Sequence, residues 1–186
     1  THGPRFMTNN KDEPKRSTLL STTCMFTKVH WLGTYVNVAY PDYEETKGSN
    51  FSLECIYYAL RKAMKARDMT KVRNLYVQMD NERSNKSWTM IAGMIALVLL
   101  GVVKKVKLSY LIVGHTHEDI DALIGTVVTK LRGMDLPTYA AFEAGCLSAI
   151  ASDKYSHILK VIQRIDIPDY RSIFSDIDSY DVGSLN

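Results

Sequence analysis

No two cysteines in this chain stand at CxxC spacing; Cys24, Cys55 and Cys146 are odd in number and far apart. That excludes a disulfide framework and a zinc ribbon, and predicts reduced, mostly buried thiols in an intracellular protein. No apolar run reaches the ~20 residues that a bilayer needs. The most apolar stretch, residues 90–103, therefore reads as a core helix, and no membrane partner is expected. Signal peptide, internal repeat and low-complexity tract are all missing. Charge of one sign is scarce as well: 23 Lys and Arg against 20 Asp and Glu leave +3, with a pI near 8.7. Such a balance permits a nucleic-acid partner without demanding one. There is no P-loop, no GxGxxG and no nucleophile elbow, so these routes to nucleotide binding and to Ser/His/Asp catalysis lack their motifs.

What is present suits a globular chain: 186 residues, 46% hydrophobic and 23% charged, enough for one domain with a core or one domain with an appendage. The first residue is Thr1, and the chain reads as an excised domain or a processed product. Residues 1–23 are polar, with Pro4, Pro14 and the cluster Lys11, Asp12 and Glu13, and read as an extended arm whose Lys15 and Arg16 are solvated, with phosphate contact as the alternative. Residues 24–151 read as the core and 152–186 as a C-terminal appendage.

Within the core, WLGTYVNVAY (31–40) reads as a strand stopped by Pro41 and Asp42. After a turn at 47–50, Ser49, Asn50 or Ser52 caps a helix running to Lys65. Glu54 near its start, and Arg61, Lys62 and Lys65 near its end, suit the helix dipole. Leu53, Ile56, Tyr57, Leu60 and Met64 keep the spacing of one buried face. A strand follows at 74–79, a polar turn at 80–86, and a helix at 87–100. That helix is apolar nearly all round, which predicts burial on more than one side. Lys104 and Lys105 precede a strand at 106–113, whose 108–113 part reads as buried. Helices are predicted from Gly114 to Arg132 and over 139–151, then a short strand in 160–165 and a helical turn at 170–174. This alternation predicts an α/β fold. The strand–helix–strand unit over 74–113 predicts a right-handed crossover with parallel strands that end on one sheet edge.

Two strand ends carry the chemistry. VRNLYVQMDN finishes on Asp80, and LSYLIVGHTHEDIDALIG crowds His115, His117, Glu118, Asp119 and Asp121 just past an apolar strand. If the strands are neighbours, Asp80 and the Gly114 turn lie side by side. Thr116 followed by Asp119 has the form of an N-terminal cap. With Thr116 as cap, the apolar stripe is Ile120, Leu123, Ile124, Val127, Val128 and Leu131. Glu118 then faces solvent, Asp119 serves the cap, and His117 and Asp121 share a flank near the stripe. The expected inward set is Asp80, His115, His117 and Asp121. The competing reading is an ordinary helix start, in which first-turn acids gain ~0.3–1 kcal/mol each from the dipole. Carboxylates with a few imidazoles suit Mg²⁺ or Mn²⁺ and metal-assisted phosphoryl transfer. HEDID is not HExxH, because Asp121 holds the fifth position. GHTH is similar to a signature of calcineurin-like phosphoesterases, whose DxH, GD and GNH motifs are missing, so a metallophosphoesterase is the weaker alternative.

Taken together, LYVQMDNERSNKS and LIVGHTHEDIDALIGTVVTKLR, over a likeness spanning residues 31–151, resemble an uncharacterised domain family. That family is common in eukaryotic transposable-element proteins, with the pattern QxDNCGxxNKN and then GHTHEDID. VHWLGTYV resembles its strand before the first helix. The resemblance implies a ribonuclease-H-like mixed sheet flanked by helices, as in DDE transposases and integrases. It implies Asp80 as the second catalytic acid and Asp121, with Asp119 as rival, as the third. It implies Asn81, Asn85 and Lys86 as supporting or phosphate-contacting residues. Glu82 and Arg83 replace the usual Cys-Gly, Ser87 the second Asn of NKN, Ala122 a Gln and Ile124 an aromatic residue. Asp12 is the one N-terminal Asp that could stand for the first-strand acid, and its context is charged rather than strand-like. The implied function is nucleic-acid processing by divalent-metal phosphoryl transfer on DNA, in the nucleus, with room for self-association. The alternative is a domesticated, non-catalytic interaction module.

Overall fold

The computed structural model describes residues 23–30, 32–39, 48–66, 73–111, 119–151, 159–162 and 167–175. Its first elements are β1 (Thr23–Val29) and β2 (Gly33–Ala39), paired antiparallel from Thr23 opposite Ala39 to Val29 opposite Gly33. The turn closes through the Leu32 N–H, which donates to the Val29 carbonyl at 2.9 Å. β1 had no counterpart in the sequence reading. Its physical reason is that both of its faces are covered: Cys24 and Phe26 pack against one apolar cluster and Met25 against another. A strand covered on both sides shows no polar alternation to betray it. β5 (Leu159–Ile162) joins β2 in parallel, with Thr34 opposite Leu159, to complete a three-stranded sheet in the order β1-β2-β5.

α1 (Ser49–Ala66) turns Phe51, Leu53, Cys55, Ile56, Ala59, Leu60 and Ala63 into the core. Met64, expected on that face, is 40% exposed instead. Glu54 also departs from its expected part. It is buried and accepts hydrogen bonds from the Arg61 guanidinium and the Tyr170 hydroxyl, so it anchors the tail instead of merely complementing the dipole. Around it α5 (Tyr170–Ile173) docks on α1. The Tyr170 ring meets Tyr57 edge-on at 5.4 Å, and Asn50 Nδ2 donates to Asp169 while Asn50 Oδ1 accepts from the Arg171 N–H.

β3 (Asn74–Met79) and β4 (Lys105–Tyr110) form a second, parallel sheet joined by α2 (Trp88–Leu99). Ser87 caps α2, its hydroxyl accepting from the Met90 N–H at 3.3 Å; Ser is among the residues that cap well, so the replacement of Asn here keeps the helix start. The helix ends at Gly101, whose φ of +69° lets Val102 N–H reach back to Leu97 O and Gly101 N–H to Val98 O. The expectation of burial on several sides is not met. Met90, Ala92, Gly93, Met94 and Leu97 are buried, whereas Ile95, Val98, Leu99 and Leu100 are exposed, the last two at 77%. α2 approaches α1 closely at Gly93, whose carbonyl accepts from Tyr57 Oη at 2.7 Å; a Cβ there would lie 2.5 Å from Leu53 Cδ2.

α3 (Asp119–Leu131) and α4 (Tyr139–Ala151) enclose a separate cluster of Leu123, Val127, Leu131, Leu136, Phe142, Cys146 and Ala149 against Cys24 and Phe26 of β1. None of the three cysteines forms a disulfide, and burial, with Cys24 and Glu143 near, pushes the Cys146 thiol up to about 12. The whole is a mixed α/β fold, and no helix among the described residues is long and apolar enough to cross a membrane.

Two outcomes follow for stability. Gly93→Ala should overpack the helix contact and cost about 1–3 kcal/mol in urea unfolding. The same change in a Leu53→Ala background should cost much less, because the clashing methyls are gone. Burial, then the nearby Glu54 carboxylate, raises the Tyr57 hydroxyl from 10.0 to about 12. The folded chain thus keeps a proton that the unfolded chain loses above pH 10. This contribution is complete below pH 10 and drains away towards pH 12. Urea midpoints should therefore fall over that window, and fall less steeply in Tyr57→Phe.

Candidate functional site

The site begins with two strands brought into register. Asn74 lies opposite Lys105, and the pairing runs to Met79 opposite Tyr110. One further bond, from the Leu111 N–H to the Met79 carbonyl at 2.9 Å, carries the ladder to the end of both strands. Asp80 therefore leaves β3 at the same edge where β4 runs out towards Gly114, as the crossover predicts. Alternation along β3 buries Met79 and leaves Asp80 exposed. β4 alternates in the same way, with Val106, Leu108 and Tyr110 half-buried and Lys105, Lys107 and Ser109 exposed. The expectation of a buried strand over 108–113 is thus corrected for its described part: Ser109 is exposed, and among the described residues nothing covers that face.

Asp80 is held from behind. The chain turns through a 3-10 segment, Arg83–Lys86, in which Asn85 is only 6% exposed and donates from Nδ2 to the Asp80 carboxylate. The turn itself is gripped from both sides. Ser49 Oγ of α1 donates to the Ser84 carbonyl at 2.9 Å, and Tyr110 Oη of β4 donates to the Asn85 carbonyl at 3.1 Å. Lys86 Nζ lies 5.5 Å from the centre of the Tyr110 ring, a cation–π contact on the exposed side. Within the buried part of the turn, Asn85 Oδ1 and Trp88 Nε1 have no hydrogen-bond partner. Unpaired buried polar atoms are uncommon in folded chains, and one here is an oxygen on the same amide that holds Asp80.

Of the residues read as nucleic-acid contacts, Asn81 and Lys86 are exposed at this edge. Asn85 is not: its burial makes it a positioning group for Asp80. Tyr110 and Ser49 were not anticipated. Nothing in SY at a strand end or in SN at a helix start distinguishes a residue that clamps a distant turn.

The second half of the expected site is placed in part. His115, His117 and Glu118, with the Thr116 cap, lie outside the described residues. Asp119 is the first residue of α3, and Asp121 is exposed. The stripe assigned by helix phase is present, with Leu123, Val127 and Leu131 buried and Ile120, Ile124 and Val128 half-buried. That stripe packs on α4 and β1, in the other sheet. Among the described residues, no three His, Cys, Asp or Glu side chains gather closely enough to hold a metal ion.

A family model described as Domain of unknown function (DUF7869) matches residues 17–177, a span that includes every described element. The chain belongs to this family. No curated protein and no solved structure matches it. The DUF7869 span takes in Asp80 with its clamped turn, the GHTHEDID run and the docking of α5 on α1.

The clamp has a measurable worth. A double-mutant cycle of Asp80→Ala and Asn85→Ala, followed by urea unfolding, should give a coupling of about 1 kcal/mol. Asn85→Ala should be the more damaging single change, since Asn85 is the buried partner and Asp80 the exposed one.

Proposed function

We propose that this DUF7869 chain is a transposase- or integrase-like domain that processes DNA by phosphoryl transfer assisted by Mg²⁺ or Mn²⁺. The observation that carries the reading is Asp80: an exposed carboxylate at the shared end of two parallel strands, held by a buried amide that is itself fixed by its turn. Exposure keeps the carboxylate reachable, and the amide limits its rotation, which suits a ligand better than a solvated side chain. The ribonuclease-H-like assignment is supported by an antiparallel hairpin before α1 and by a parallel pair after it whose first strand ends on an acid. The transposable-element origin rests on the two motifs.

The donor set fits a hard cation. Asp80 would supply a carboxylate oxygen, and His115, His117 and Asp121, with Asp119 as rival, are the further candidates. A bound Mg²⁺ or Mn²⁺ would supply charge stabilisation at the phosphate oxygens. The chain's own residues would do the rest. Asn85 orients Asp80, Tyr110 and Ser49 hold the turn that carries Asn85, and the exposed Asn81 and Lys86 would steer the phosphate. DNA as substrate would place the protein in the nucleus.

A second reading, an interaction module without catalysis, draws on the packing of α3. Its apolar face is committed to α4 and β1, in the sheet that does not carry Asp80. Calorimetric titration with Mn²⁺ separates the two. The catalytic reading expects binding to the parent chain, abolished in Asp80→Asn and weakened about 10–100-fold in Asn85→Ala, the usual loss when the partner of a metal ligand is removed. Absence of binding in the parent would sink it.

A further inference from the structure

The sheet formed by β3 and β4 presents two unlike faces. Leu75, Val77, Met79, Val106, Leu108 and Tyr110 turn to one side and pack into the cluster built by α1 and α2. Among the described residues, nothing covers the other side. Asn74, Tyr76, Gln78, Lys105, Lys107 and Ser109 are all exposed, Tyr76 at 69%. Register places Tyr76 directly opposite Lys107, with Asn74 opposite Lys105 and Gln78 opposite Ser109. Arg73 and Lys104 are exposed at the starting end of the two strands, and Asp80 at the finishing end.

Parallel sheets are rarely left with a bare face, so the chemistry of this one bears on what covers it. A layer of protein core would need apolar partners, and the face offers one aromatic ring among amides, a hydroxyl and two ammonium groups. No acid interrupts it before Asp80. A flat ring between lysines, on a sheet whose other groups are hydrogen-bonding amides, matches the means by which proteins hold unpaired nucleotides. Bases stack on the aromatic side chain, and lysines follow the phosphates. A duplex would not suit: its bases are stacked on one another, and a two-stranded sheet backed by α1 and α2 is too thick to enter a groove as a bare ribbon does.

The geometry points to the open face of β3 and β4 as a binding track for single-stranded nucleic acid. A base stacks on Tyr76, Lys105 and Lys107 take the phosphates, and the strand is laid along β3 towards Asp80. The inference rests on the nucleic-acid reading above, and names the form of substrate and its path to the carboxylate. It does not depend on the metal, because neither stacking nor phosphate contact requires one.

The test uses the full chain with a fluorescein-labelled dT₁₂ and its RNA counterpart U₁₂, in EDTA, read by anisotropy over a range of NaCl. Binding of one or both is expected, and the two arms tell DNA from RNA. Tyr76→Ala should weaken binding about 5- to 150-fold, the loss typical of one stacked base, while Tyr76→Phe should hold most of the affinity. Lys105→Ala and Lys107→Ala should each flatten the dependence of log affinity on log salt by about 0.7. All four changes fall on exposed positions, and unchanged melting temperatures would show that the fold is intact. Equal affinity in Tyr76→Ala, tighter binding of a matched duplex, or no oligonucleotide binding at all would overturn the track. So would a dimer, seen by sedimentation, that Tyr76→Glu dissociates, because a second copy would then occupy the face. The outcomes separate from those of the metal site. Mn²⁺ binding with an inert Tyr76 sinks the track alone, and oligonucleotide binding without Mn²⁺ binding sinks the catalytic reading alone.

Discussion

Parallel hydrogen bonding holds Asn74 to Met79 beside Lys105 to Tyr110, and most of what is chemically distinctive about this chain depends on that pairing. Parallel neighbours cannot be joined by a tight turn, so α2 crosses over one face, and among the described residues nothing covers the other. The same geometry sends both strands out at one edge. It therefore sets Asp80 beside the path to GHTHEDID, and it separates a greasy face under α1 and α2 from a basic, hydrogen-bonding one. Tyr110 ties these consequences together: its ring lies partly in the apolar cluster, while its hydroxyl reaches the turn that fixes Asn85.

Much of the fold was readable where the residues leave one interpretation. NLYVQM alternates cleanly and is β3, and the polar turn and Ser87 announce α2 one residue before it starts. The helix over 139–151 begins just after Pro137 and Thr138, and Thr138 Oγ1 accepts from the Ala141 N–H. What was hidden was hidden for physical reasons. β1 carries apolar side chains on both faces, Cys24 and Phe26 on one and Met25 on the other, and every residue of it is half-buried, so no alternation marks it. α2 has one polar residue, Thr89, and it is buried, so composition could not show that Leu99 and Leu100 would stay in water. Glu54 reads as an acid near the helix start that suits the dipole, and only a tyrosine far along the chain makes it a buried anchor.

The candidate site divides along the same line. The position of Asp80 follows from strand order alone, which local sequence conveys. Its support does not, since Asn85, Ser49 and Tyr110 converge from a turn, a helix and a strand that only tertiary packing brings together. The phase of α3 was correct in its buried stripe, yet phase says which residues face inward and nothing about which sheet they face. That is why Leu123 and Val127 meet Phe26 of β1, and not the strands that carry Asp80.

The pairing of β2 with β5 has a consequence for how this chain comes into being. Thr34 must find Leu159, and Asn37 must find Ile162. At about 5–20 residues per second, a ribosome delivers the second partner roughly ten seconds after the first. For that time one side of β2 has no strand beside it, and an unpaired edge is a template for pairing with any neighbouring chain. The three-stranded sheet is thus completed late in synthesis, after the β3–β4 unit has all its residues. The β3–β4 ladder can form first, while the cluster beneath it still waits for Tyr170 and Phe174, and β2 for its last neighbour.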